Sequence, residues 1–257
     1  MIKCYVINLT RNPKRLEYAK QHFTERRLSF ERIDAVDGSQ IPQEEILRIK
    51  KVRTIHPKSD CRPASLGCFL SHHKAWQKVA DGQEEYAAVF EDDIHLSNTV
   101  TDIFTNTQWM PHGFDIIRLE ISTNKYLLFD RKPIVRLSKT ALFRLRSTAW
   151  GGGAYIISRA AAKRLVSLPE AYHDTIDYFL FSIETSEIAR SLVTYQFVPA
   201  VAIQGEYLEP QKAIFASNIG HEEANKSAIS LRCLVLSIMT KIRKAIIGYR
   251  CVRFISE

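Results

Sequence analysis

Three acids stand together at Glu91-Asp92-Asp93, directly after the apolar run Tyr86-Ala87-Ala88-Val89-Phe90. A run of that kind reads as a buried strand, and in open α/β sheets ligands bind beyond the carboxyl ends of strands. Carboxylates crowded at such a point repel one another, and a divalent cation relieves the repulsion. Mg²⁺ or Mn²⁺ bridging a diphosphate suits oxygen ligands of this type. The plainer alternative is a solvated acidic loop capping the helix that follows.

A second group, Asn8-Leu9-Thr10-Arg11 with Arg15 close behind, leaves the short apolar strand Cys4–Ile7 and enters a helix opening at Asn12-Pro13. Backbone N–H groups and two guanidiniums at a helix start suit phosphate. A solvated basic face is the alternative. There is no GxGxxG and no Walker P-loop, which counts against a Rossmann dehydrogenase or a P-loop NTPase. The third group is Gly67-Cys68 with Ser71-His72, on a segment whose apolar residues Leu66, Phe69, Leu70, Trp76 and Val79 keep helical spacing. Ser71 and His72 fall off that stripe and are expected to face a ligand. Cys61, Cys68, His72 and His73 also invite a zinc reading, but their spacing matches no CxxC pair or HExxH pattern. Cys68 and a histidine as a nucleophilic pair is a further option that nothing singles out, and a small buried residue is the simpler role for Cys68.

These groups need a scaffold. Cys4–Ile7, a helix from Asn12 through Phe23, and Phe30–Ile33 form a strand–helix–strand unit, which points to an α/β layer fold with parallel pairing. A short helix and a loop are expected between Pro42 and Pro63, and a further strand from Phe114 to Leu119 ending at Glu120. Hairpin strands and loops should fill the basic stretch Lys125–Arg146. Ala154–Ile157 reads as a strand approached by three glycines, Ser158 as a helix cap, 174–183 as a short helix and Leu192–Val198 as a last strand.

Composition sets the bounds. The chain has 257 residues, 46% hydrophobic and 25% charged, with a net charge of +8. That excludes a disordered chain, a collagen-like repeat and a coiled-coil rod. Five scattered cysteines argue against a disulfide framework and for a reducing setting. No apolar stretch reaches the roughly 18 residues of a membrane span. The expectation is a cytoplasmic protein, soluble or on a membrane surface.

Taken in order, the blocks resemble glycosyltransferase family 25, the lipooligosaccharide galactosyltransferase family. The resemblance is carried by Tyr5-Val6-Ile7-Asn8-Leu9 with Arg11 and Arg15, Asp34-Ala35-Val36-Asp37-Gly38, Gly67-Cys68-Phe69-Leu70-Ser71-His72 with Trp76, and Val89-Phe90-Glu91-Asp92-Asp93-Ile94. Weaker matches follow at Gly152–Ser158, at Ile176-Asp177-Tyr178-Phe179-Leu180 and at Gln204, so it covers residues 1 to about 220. It implies a GT-A-type fold with a mixed, mostly parallel sheet, a UDP-sugar donor such as UDP-galactose, an inverting transfer, and a lipopolysaccharide or lipooligosaccharide core sugar as acceptor. Glu91-Asp92-Asp93 takes the place of a DXD motif, one residue off its pattern. Asp93, then Asp92, are the implied ligands of Mn²⁺ or Mg²⁺. Asn8, Arg11 and Arg15 are implied in the diphosphate pocket, Asp34 and Asp37 at the nucleoside, and Ser71 and His72 at the donor, with Glu91 beside them. A metal-bound carboxylate is a poor base, so another acid must take the acceptor proton. Asp177 is the first candidate and Glu120 the second.

The C-terminal part differs, and residues 226–257 are read as a helical tail on a 1–225 catalytic domain. Apolar residues recur at helical spacing from Leu231 to Tyr249, opposite Arg232, Lys241, Arg243, Lys244 and Arg250. A basic amphipathic helix lies well on an anionic membrane, here the inner face of the cytoplasmic membrane; packing on the main domain or a second subunit is the alternative. Rival functions are a metal-dependent nucleotide-sugar hydrolase and a non-catalytic glycan-binding protein. A nucleic-acid-binding protein fits the net charge but has no RRM, KH or zinc-finger signature, so no nucleic acid is expected.

Overall fold

The computed structural model describes residues 1–52, 62–121, 126–169, 174–208 and 249–255. In chain order its strands are β1 (Lys3–Asn8), β2 (Glu31–Asp34), β3 (Tyr86–Glu91), β4 (Ile94–Leu96), β5 (Ile116–Arg118), β6 (Glu120–Ile121), β7 (Tyr126–Leu128), β8 (Val135–Arg136), β9 (Ala141–Arg144), β10 (Ala154–Ser158), β11 (Thr194–Val198), β12 (Ala202–Gln204) and β13 (Tyr249–Cys251). Its helices are α1 (Pro13–Glu25), α2 (Gln43–Val52), α3 (Pro63–Asp81), α4 (Thr99–Thr105), α5 (Arg159–Val166), α6 (Ile176–Phe181) and α7 (Glu187–Ser191).

Eight strands form one sheet in the order β2-β1-β3-β10-β5-β11-β9-β8. β1, β2 and β3 run parallel, with Ile7 opposite both Ile33 and Glu91. β10 then enters antiparallel between β3 and β5. The expectation of mostly parallel pairing therefore needs correction. Six of the eight strands point the same way, but β10 and β9 run against their neighbours, so only three of the seven pairings are parallel. β10 follows a glycine-rich approach and not a helical crossover, and a strand that arrives without a crossover is free to run antiparallel. β4, β12 and β6 form a small second sheet.

Strand alternation sorts the core into two layers. Tyr5, Ile7, Val89, Tyr155 and Ile157 face α3, α5 and α6 through Phe69, Trp76, Leu165 and Phe179. Cys4, Val6, Phe90, Ala154 and Ile156 face α1 and α4 through Ala19, Phe23, Ile103 and Phe104. The result is helix, sheet, helix, with the parallel strand ends β1–β2–β3 opening on one edge.

Local signals act as their chemistry dictates, with one exception. Pro13 and Pro63 open α1 and α3, and Ser158 caps α5 by accepting from the Ala161 N–H. Asn12 makes no side-chain cap bond. The hairpin expected in Lys125–Arg146 is present as β8–β9.

Only the end of the predicted C-terminal helix falls on described residues, and there it needs correction. Residues 231–248 lie outside the described residues. Tyr249 and Arg250, taken as the last positions of the helical stripe, lie in β13, paired antiparallel with β7. Val252 beyond them is fully buried, and Phe254 bridges Ala200. Among the described residues, no helix is long and apolar enough to cross a membrane.

Candidate active site

The carboxyl ends of β1, β2 and β3 frame a cleft of about 520 Å³, within the usual range for small-molecule sites. Arg11, Arg15 and Arg62 line it together with Glu91, Asp92 and Asp93. Asp37, Ser39, Cys68, Ser71 and His72 also contribute to its wall.

The acids are held by specific bonds. Asn8 Nδ2 donates to Asp92 Oδ2 at 2.6 Å, and Arg15 donates to Asp92 Oδ1 at 3.2 Å. Arg15 also lies 3.6 Å from Asp93 Oδ2. Asp92 is thus spent on both oxygens. Asp93 Oδ1, by contrast, is buried without a hydrogen-bond partner. Burial, followed by the charges of Glu91 and Asp92, pushes the Asp93 carboxyl well above its usual range. Burial also raises Asp92, against the bond from Asn8. Burial is the largest single influence on Glu91 and opposes its charge, but the hydrogen bonds from His72 and Cys68 and the charges of His72 and Arg15 together hold it below the usual range. Three crowded, largely enclosed acids beside Arg15 thus cannot all ionise comfortably, and an orphaned carboxylate oxygen completes a set of hard donors suited to Mg²⁺ or Mn²⁺.

Behind Glu91 runs a buried chain of polar groups. Trp76 Nε1–H donates to the Tyr155 hydroxyl at 2.8 Å, His72 Nδ1 lies 2.8 Å from that hydroxyl, and His72 Nε2 lies 3.2 Å from Glu91 Oε1. With neutral His72 protonated on Nε2, Tyr155 donates to Nδ1 and every group is satisfied.

The expected residues divide clearly. Arg11, Arg15, Asp37, Ser71, His72, Glu91, Asp92 and Asp93 line the cleft. Arg11 pairs with Asp37, whose carboxyl is lowered first by the Ser39 hydroxyl. Asn8 is buried behind the wall and acts on Asp92. Asp34 is outside the lining, bonded to Thr10 at 2.6 Å and to Arg32 at 2.9 Å. Ser71 and His72, expected to face a ligand, belong to the cleft wall and are buried in it. Ser71 Oγ accepts from the Val36 N–H and donates to the Gly67 carbonyl, so it fixes the loop after β2. Both residues are buried although they fall off the apolar stripe, because α3 is wrapped on more than one side.

The two candidate bases lie beyond the lining. Glu120 is fully buried; its Oε1 accepts from the Gly153 N–H at 2.7 Å, its Oε2 has no partner, and burial pushes its carboxyl up to about 8. Asp177 is half-buried on α6, and its charge reaches Cys68 and Arg118. Of the zinc reading, Cys61 lies outside the described residues and His73 packs its ring on Trp76. Sequence reasoning missed Arg62 and Ser39 in the wall, and Arg118 altogether. Arg118 is buried at the end of β5, with Nη2 on the Trp150 carbonyl at 2.6 Å and its plane over Phe181. Its one signal was a charge inside an apolar strand.

The family model for glycosyltransferase family 25 (LPS biosynthesis protein) matches residues 1–180. This chain belongs to glycosyltransferase family 25. The lipooligosaccharide biosynthesis protein lic2B of Haemophilus influenzae is 28% identical over 255 residues, covering 93% of this chain and 91% of that protein. Lex-1, also a lipooligosaccharide biosynthesis protein of Haemophilus influenzae, is 28% identical over 190 residues, 70% of this chain and 62% of its own length. The lacto-N-neotetraose biosynthesis glycosyltransferase LgtE of Neisseria meningitidis serogroup B is 28% identical over 214 residues, 78% of this chain and 73% of that protein. Among solved structures, HddC from Yersinia pseudotuberculosis aligns with a TM-score of 0.42 at 13% identity, over 83% of this chain and 97% of that one, a likeness too distant to bear on function.

Proposed function

We propose that this family 25 member transfers a hexose, galactose from UDP-galactose, with inversion onto a sugar of a lipopolysaccharide or lipooligosaccharide core. The observation that carries the reading is the meeting of Arg11 and Arg15 with Glu91-Asp92-Asp93 in one cleft at the strand ends. Guanidiniums bind a diphosphate, and the orphaned oxygen of Asp93 suits the cation that accompanies it. The relatives named for lipooligosaccharide and lacto-N-neotetraose biosynthesis support the acceptor class.

In this reading the acceptor oxygen attacks the anomeric carbon from the face opposite the diphosphate. The carbon–oxygen bond to UDP breaks, and UDP leaves with the electron pair. Asp177 takes the hydroxyl proton; Glu120 is the second choice, because its carboxyl is sealed under Gly153. Arg11 and Arg15 stabilise the leaving diphosphate. Asp93, with Asp92 beside it, holds Mn²⁺ or Mg²⁺, which when bound supplies Lewis-acid stabilisation of the same charge. Asp37 and Ser39 contact the nucleoside, with Asp34 at the end of β2 holding the β1–α1 loop through Thr10. The basic stripe from Leu231 holds the protein on the anionic inner face of the cytoplasmic membrane, where a lipid-anchored acceptor is found; sequence pattern alone supports that part.

The test is donor hydrolysis. The purified protein is incubated with a panel of UDP-sugars, with and without Mn²⁺, and released UDP is measured. Slow, metal-dependent release from UDP-galactose is expected. No release from any sugar, together with no UDP binding by calorimetry, overturns the reading.

A further inference from the structure

Cys68 and His72 in the cleft wall have no step in the transfer reaction. Cys68 and His72 are one turn apart on α3, and Glu91 ends β3 against them. One ligand atom from each lies within 4.8 Å of the other two. Cys68 Sγ is 3.5 Å and His72 Nε2 is 3.2 Å from the same oxygen, Glu91 Oε1. Bonds of roughly 2.0–2.3 Å in a tetrahedral zinc site put ligand atoms about 3.3–3.8 Å apart. Two of the three edges are therefore already close to the length a zinc ion needs, and the third is at most 4.8 Å.

We propose that Cys68, His72 and Glu91 form a site for a thiophilic divalent cation, Zn²⁺ in the first instance. The donor set of one sulfur, one nitrogen and one oxygen separates it from the hard, all-oxygen position at Asp93. Three protein ligands with a face on the cleft leave a fourth position open to water or an anion, the arrangement of a reactive zinc and not of a closed structural one. The histidine is aimed from behind. Its Nδ1 meets the Tyr155 hydroxyl, which Trp76 fixes in turn, and a hydroxyl can accept from an Nδ1–H when Nε2 is given to a metal. The cysteine is otherwise idle: burial raises its thiol well above the ordinary range, so without a cation it is no nucleophile. Binding displaces the thiol proton to solvent and forms the metal–sulfur bond.

The site stands apart from the donor reading and is tested without any sugar nucleotide. Chelator-treated full-length protein is titrated with Zn²⁺ by calorimetry, and with Co²⁺ while the near-ultraviolet thiolate-to-cobalt charge-transfer band is recorded. One equivalent and a clear band are expected for the wild type. Cys68→Ser should lose the band and bind Zn²⁺ more than about 100-fold more weakly, whereas Asp93→Asn, which removes only the hard-cation position, should keep both. A wild type with no charge-transfer band overturns the proposal and requires no variant to fold. Equal Zn²⁺ affinity in Cys68→Ser also overturns it.

Discussion

Asn8, the last residue of β1, donates from Nδ2 to Asp92 Oδ2 at 2.6 Å across 84 positions of sequence. The same side chain accepts from Arg32 Nε at 3.0 Å and donates to the Asn12 carbonyl at 3.1 Å. One buried amide therefore ties two strand ends and the start of α1 to the acid cluster. Removing it leaves Asp92 with Arg15 alone. Asn8→Ala should cost about 1–3 kcal/mol of stability, since it strands a buried charged acceptor. It should also weaken UDP binding, because the arginines and acids lose their common anchor. Urea unfolding and calorimetry read the two effects separately. Asn8→Asp should be worse on both, as it sets a fourth carboxylate against Asp92.

The glycines at 38 and 67 are sites of close approach between backbones. A Cβ on Gly67 would sit 2.7 Å from both the Gly38 nitrogen and the Val36 oxygen, and one on Gly38 would sit 1.9 Å from the Pro63 oxygen. In an ordinary helix interior, Gly67→Ala should stabilise by roughly 0.5–1 kcal/mol. Here the clash is with backbone that cannot rotate away, so the sign reverses. A loss of about 1–3 kcal/mol is expected, with donor binding lost as the loop bearing Asp37 is pushed off α3. An alanine variant as stable as the wild type would show that the loop does not pack as described.

Much of this was legible. The run Tyr86–Phe90 and the acids after it fixed β3 and the edge of the sheet at which the cleft lies. Asn8, Arg11 and Arg15 followed from the same strand-end logic on β1. Legibility stopped where burial comes from partners remote in sequence. Ser71 and His72 fall off the apolar stripe of α3 yet are buried, because β10 and the loop after β2 cover that face. The direction of β10 was equally hidden, since an apolar run carries no sign of which way it enters a sheet. The distinction between Asn8 behind the wall and Arg11 in it depends on side-chain direction, which spacing along the chain does not give.

Glu120 gives a pH dependence of stability with a definite sign. Burial lifts its carboxyl to about 8 from an ordinary 4.5. The folded state therefore binds a proton more tightly than the unfolded state. Its contribution is fully present below about 4.5 and is lost as pH rises through about 8. Glu120→Gln keeps an acceptor for the Gly153 N–H and removes the titration. The variant should gain stability relative to the wild type steadily between those two pH values, and denaturant midpoints across the range measure it. A constant difference at all pH values would mean that Glu120 ionises normally in the fold.

The two candidate bases separate in kinetics. Asp177 is half-buried and its charge reaches Cys68 in the cleft wall, whereas Glu120 is sealed. Asp177→Asn should lower kcat by about 10²–10⁴ with KM for the donor little changed. Glu120→Gln should have a smaller effect on kcat. The reverse order in single-turnover transfer to a saccharide acceptor would move the proton acceptor to Glu120 and leave Asp177 as a group that balances Arg118.

Asp93→Asn pits stability against activity. The Asp93 carboxyl is raised by burial and by its two acidic neighbours, so its charge opposes the fold when no cation is bound. Asparagine keeps the shape and removes that charge, and the metal-free variant should melt at a higher temperature than the wild type. The same change takes away the cleft-lining acid whose oxygen is unpartnered among the described residues, and Mn²⁺-dependent donor turnover should fall by at least about 100-fold. The two effects have one cause, since the repulsion that weakens the empty site is what draws a cation into it. A melting temperature that rises while activity is kept would put the cation elsewhere among the acids, and a melting temperature that falls would mean that Asp93 is paired in the fold.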